Sequence, residues 1–120
     1  MRAGGSQASL GVESDLTYVA DCQWAGVLYD LGAVPGAVPG ECMVHGELFR
    51  LSSPRVWTVL DAYEGYDPDR EAASLYVRRR VSLAVPRETT AWVYWYNGPV
   101  EDAPRVTSGD WAAYRADGAS

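Results

Sequence analysis

The sequence has no lysine, a single histidine, two cysteines and one phenylalanine among 120 residues. Each shortage removes a class of chemistry. One imidazole, His45, is too little for a histidine-rich zinc site and argues against a serine or cysteine triad. Cys22 and Cys42 are too few for a disulfide scaffold and lack metal-ligand spacing. No apolar run approaches the roughly 20 residues that span a bilayer, and nothing resembles a signal peptide. A reducing, cytoplasmic setting is therefore the expectation, with neither metal nor cofactor. The ten basic side chains are outnumbered by sixteen acidic ones, and the net charge of −6 argues against nucleic acid or an anionic membrane as partner. What remains for chemistry is carboxylates, tyrosines, arginines and backbone amides.

What is present is an ordinary globular composition, 48% hydrophobic and 12% aromatic, long enough for one domain over residues 1–120 with a single core. Residues 1–15 are small and polar and read as a loop or weak helix. "CQWAGVLYDLG" (22–32) is rich in aromatic and branched residues and reads as a strand. "AVPGAVPGE" (33–41) repeats Val-Pro-Gly, a turn-forming pattern, and reads as an ordered loop. "MVHGELFRL" (43–51) alternates and reads as a second strand, with His45 as one of its members rather than a catalytic group.

"SSPRVWTVLDAYEG" (52–65) reads as a helix. Ser53 is its cap, Pro54 its first residue and Gly65 its stop, and Val56, Val59, Leu60 and Tyr63 form its buried stripe. "LYVRRRVSLAV" (75–85) and "TTAWVYWYNG" (89–98) read as two more strands, followed by a closing "SGDWAAYR". The order of strands and helix suits a small mixed sheet or barrel with a helix against it, an α+β fold.

Glu64 stands on the last turn of that helix, where unpaired carbonyls and the like charge of Asp61 raise a carboxyl's proton affinity. A carboxylate tuned toward neutrality suits a general base acting on an ammonium group. A glutamate before a helix-ending glycine is also a common solvated terminus, and the pattern taken alone favours that plainer role. The Val-Pro-Gly loop serves equally well as a substrate loop or a bare connection. Arg78 and Arg80 share one strand face and Arg79 the other; solvated outward arginines and an inward one that pairs an acid are a more ordinary arrangement than a substrate clamp. The aromatics of "AWVYWY" are core by default, with one tyrosine hydroxyl able to reach a pocket.

Taken in order, "GVLYDLGAVPGAVPG", "VHGELFRL", "LDAYEGY", "YVRRRV", "AWVYWY" and "SGDW" resemble the γ-glutamylcyclotransferase-like family. The resemblance implies a small mixed β-barrel with flanking helices and no metal or cofactor. It also implies cyclisation of a small-molecule γ-glutamyl amine or peptide to 5-oxoproline, with release of the amine. The family's acid/base glutamate falls on Glu64. By the same resemblance the loop Leu31, Gly32, Ala33, Val34, Pro35, Gly36 and on to Gly40 lines the substrate pocket, with Tyr29, Tyr94 and Arg78 as lesser candidates. One departure stands out. The family opens with a strand ending in Tyr-Gly-Ser/Thr-Leu, and this chain has no counterpart; "MRAGGSQASL" resembles the family's next segment after that motif. An upstream start, a homodimer completed by strand exchange, and a binding or regulatory module without turnover are the three expectations this raises.

Overall fold

In the computed structural model, the structure describes residues 15–116. Apart from Asp15, the segment expected as loop or weak helix lies outside the described residues. Among the described residues, four strands and two α-helices succeed one another, with one 3-10 turn (Glu71–Ala73) before β3: β1 (Leu16–Asp30), β2 (Pro35–Leu51), α1 (Arg55–Glu64), β3 (Tyr76–Ser82), β4 (Thr90–Tyr96) and α2 (Trp111–Ala116). β1 pairs with β2 and β3 with β4, both antiparallel. Gln23 bridges to Val85 and so ties the two pairs together, and His45 makes one parallel bridge to Asp110. The sheet is thus antiparallel in its strand pairs, and the described pairings do not close a barrel. No helix among the described residues is long and apolar enough to cross a membrane.

The Val-Pro-Gly stretch is not a loop. Only Gly32, Ala33 and Val34 turn, and Pro35 already opens β2 opposite Asp30. Proline breaks a strand by lacking an N–H, and both prolines here avoid that penalty. Pro35 occupies the first strand position. Pro39 falls where the register jumps from Ala25↔Met43 to Val27↔Val38, a bulge that leaves residues 39–42 without partners on β1. β1 likewise begins earlier than its aromatic run suggests, because Leu16 pairs with Leu51 and extends the ribbon toward α1.

Strand alternation sets the core. Val93 packs into a cluster with Cys22, Trp24, Leu28, Ala37, Val44, Leu83, Val106 and Trp111. Its neighbour Tyr94 points the other way, into a second cluster with Val56, Leu60 and Tyr76. The β3–β4 hairpin therefore lies between the β1–β2 ribbon and helix α1. Each fully buried Leu or Val in these clusters contributes on the order of 1.5–3 kcal/mol.

The ends of α1 reflect its local chemistry. The Ser53 hydroxyl accepts from the Arg55 N–H at 3.3 Å, while Pro54 stands just before the first helical residue rather than on it. Gly65 closes the helix at φ 68°, with its N–H donating to the Ala62 carbonyl and that of Tyr66 to Asp61. A side chain at Gly65 is strained by that angle, and its Cβ would stand 3.1 Å from Leu75 Cβ. Gly65→Ala is expected to lower unfolding stability by about 1 kcal/mol, read from a urea midpoint.

Candidate functional site

The face that α1 buries differs from the expected stripe at one decisive position. Val56 and Leu60 are buried as expected and Val59 partly so, but Tyr63 is 39% exposed while Glu64 is 2% exposed. The buried row runs Val56, Leu60, Glu64, at steps of four, and Tyr63 falls off its edge. Both positions fit a helical period; the hairpin below chooses between them. α1 sits over Tyr76 and Tyr94, so the 60–64 side of the helix faces in.

Asp61, one turn before Glu64, organises this layer. It accepts the Tyr94 hydroxyl at 2.5 Å and Arg78 Nη2 at 3.1 Å. Arg78 Nε also lies 3.1 Å from Asp61 Oδ1, close enough for an ion pair but off hydrogen-bond alignment. The guanidinium of Arg78 stands 4.2 Å from the ring centre of Trp57 and 5.3 Å from that of Trp92, with Tyr66 beyond. Arg78 is thus the inward arginine that pairs an acid. Arg80 turns to Thr90, and Arg79 grips Glu71 through two bonds on the opposite face. Burial, then the bond to Asp61, pushes the Tyr94 phenol far above the ordinary tyrosine range, so its hydroxyl remains a donor.

The turn between β1 and β2 reaches the same layer. Leu31 packs against the Val56–Leu60 cluster, and the Tyr76 hydroxyl donates to the Pro35 carbonyl at 2.7 Å. Gly32 adopts φ 105°, its N–H donating to Asp30 Oδ1 at 2.7 Å. Gly32 and Ala33 are exposed at the tip, Leu31 and Val34 half-buried, and Pro35 and Gly36 buried on β2. Of the residues singled out in the sequence, the fold brings together Glu64, Tyr94, Arg78, Leu31 and Pro35. Tyr29 is half-buried opposite Gly36 and belongs to neither apolar cluster. Tyr76 was not anticipated. Its signal was its place two residues before Arg78, on the same strand face.

Glu71 shows how differently a half-buried surface carboxyl behaves. Bonds from Arg79 first and Tyr66 second hold it down at about 2. A depressed folded value adds stability that is present above the unfolded carboxylate range and lost as pH falls toward about 2. A carboxyl ¹³C titration should place its midpoint there, and Arg79→Ala should return it upward; a wild-type midpoint in the ordinary range would contradict the pairing.

Cys22 is buried and Cys42 exposed, both as free thiols. Among the described residues no cluster of His, Cys, Asp or Glu is placed to hold a metal ion. The family model for gamma-glutamyl cyclotransferase, AIG2-like proteins matches residues 5–113. The chain belongs to this family. Among its gamma-glutamylcyclotransferase relatives, the Escherichia coli family protein YtfP is 37% identical over 84 residues, or 70% of this chain. That match spans 66% of the E. coli protein's own length. A Vibrio cholerae protein provisionally named a gamma-glutamylcyclotransferase is 34% identical over 107 residues, covering 82% of this chain and 84% of that one. The solution structure of E. coli ytfP superposes with a TM-score of 0.64 at 31% identity, over 90% of this chain and 84% of that one. The Pyrococcus horikoshii protein PH0828 gives 0.70 at 14% identity over 97% and 86%, a likeness of fold alone.

Proposed function

We propose that this gamma-glutamyl cyclotransferase family member converts a γ-glutamyl amine or peptide to 5-oxoproline, with Glu64 as the general acid/base. The observation that carries the reading is the burial of Glu64, 2% exposed in the row Val56–Leu60–Glu64 at the C-terminal end of α1. A surface carboxylate has no reason to occupy a core position. Both burial and the negative end of the helix favour a carboxyl that holds a proton readily.

In the reaction the substrate's own α-amino nitrogen attacks its γ-carbonyl carbon. A C–N bond forms to close the five-membered lactam, and the amide C–N bond to the leaving amine breaks. The proton released by the attacking nitrogen passes to the Glu64 carboxylate and is returned to the departing amine. The protein supplies no nucleophile; it holds the glutamyl chain folded back, shuttles one proton and keeps water away. The turn Leu31–Val34 and the start of β2 at Pro35 and Gly36 would flank the glutamyl end. Their support is the anchoring of this turn to the Glu64 layer through Leu31 and the Tyr76–Pro35 bond.

The test is release of 5-oxoproline from a panel of γ-glutamyl amines and dipeptides, with Glu64→Gln as the control. Turnover absent across the panel with the full chain would favour a binding module that keeps the fold without the reaction.

A further inference from the structure

Glu64 does not share its layer with a lone like charge. Asp61, a position whose Cβ stands roughly 5–6 Å from that of Glu64 on an ideal helix, is matched by the guanidinium of Arg78. Arg78 is in turn held against the faces of Trp57 and Trp92, which keep it from swinging out to water. Among the described residues, the titratable and charged groups packed into this layer or bonded to it include Asp61 from α1, Tyr66 after it with Glu71 on its hydroxyl, Tyr76 and Arg78 from β3, and Tyr94 and Tyr96 from β4. Four are phenols. Of the charged groups described in this layer, Asp61 and Arg78 are in contact with each other, while Glu71 beyond Tyr66 is paired with Arg79.

We propose that Asp61 and Arg78 are a positioning pair that sets the acid/base strength of Glu64 by cancelling each other's charge beside it. The role rests on the reading of Glu64 as the acid/base, and it assigns Arg78 to the protein's own carboxylate rather than to the substrate. Tyr94 joins the pair to the buried face of α1: its hydroxyl is bonded to Asp61 and its ring packs with Val56 and Leu60, the row that Glu64 ends. A guanidinium left without its partner would stabilise the Glu64 carboxylate, and a lone Asp61 would destabilise it.

The two single substitutions therefore have opposite signs. Asp61→Asn keeps an acceptor for the Tyr94 hydroxyl but leaves Arg78 uncompensated, and the Glu64 titration midpoint should fall by about one pH unit. Arg78→Gln leaves Asp61 uncompensated, and the midpoint should rise by a similar amount, whereas Arg78→Lys should restore it. The measurement is the ¹³C titration of the Glu64 carboxyl in the unliganded full chain, assigned by its loss in Glu64→Gln, together with the acidic limb of kcat/KM. Shifts in one direction for both variants, or none, would overturn the pairing, since a merely structural role predicts no opposition of sign. Should a single substitution unfold the chain, the double variant Asp61→Asn with Arg78→Gln carries the test. Its midpoint is expected to remain at the wild-type value, and a displacement of a full unit would reject the proposal. The titration needs no turnover, so this pairing and the catalytic role of Glu64 can fail separately.

Discussion

Replacing Glu64 by Gln should reduce 5-oxoproline release by about 10³-fold while the protein stays folded, the range general acid–base groups contribute. The substitution is nearly isosteric, so the row it shares with Val56 and Leu60 keeps its shape. What is lost is a group that can take a proton from the attacking amine and give one to the leaving amine. An amide does neither. The loss should fall on kcat, with KM little changed, because the missing interaction belongs to the transition state. Far-UV circular dichroism and the unfolding midpoint provide the folding control. Turnover within threefold or so of wild type, in a variant that keeps its stability, would remove Glu64 from the mechanism. Glu64→Asp is a useful companion: it keeps the carboxyl but withdraws it by one methylene, so partial activity is the expected result.

The largest effect on stability should come from Gly109→Ala. Gly109 has φ 70°, and a Cβ there would lie against the carbonyl oxygen of Met43 on β2. The neighbour is backbone and cannot rotate away. Moving it would also disturb the His45 N–H, which donates to the Gly109 carbonyl at 2.8 Å. That bond and the His45–Asp110 bridge dock the start of α2 on β2, with Trp111 buried in the first cluster. A loss of roughly 3 kcal/mol or more is expected from strain plus a displaced strand contact, measured as a shift in the urea midpoint. A change under about 0.5 kcal/mol would mean that the docking is looser than its geometry implies. Gly109 lies against Val44 of the first cluster, whose residues do not include those packed under α1. The activity of the folded fraction should therefore be little altered.

Much of the fold is legible without coordinates, because local patterns carry it. "YVRRRV" and "AWVYWY" alternate or run aromatic, as hairpin strands do, and they pair residue for residue from Tyr76↔Tyr96 to Ser82↔Thr90. Ser53 and Gly65 bracket α1 by chemistry confined to a few neighbouring residues. The Val-Pro-Gly stretch misleads for an equally physical reason. Proline and glycine report what a backbone cannot do locally, but they are silent on whether the neighbouring strand asks for the missing N–H. Pro35 at a strand start and Pro39 in a bulge are never asked.

The candidate site divides the same way. Composition leaves carboxylates, tyrosines, arginines and backbone amides for any chemistry, and pattern puts Glu64 at a helix C-terminus; only the family resemblance singles it out as an acid/base. Alternation puts Arg78 and Arg79 on opposite faces of one strand but leaves open which of them turns inward. It took the packed chain to turn Glu64, and not Tyr63, into the core, and to make Asp61 the acid that Arg78 meets. A helical period allows either residue on the buried face, within the angle one position subtends. The choice belongs to whatever packs beneath, and here that is a hairpin surface of tyrosines brought in from more than ten residues further along the chain.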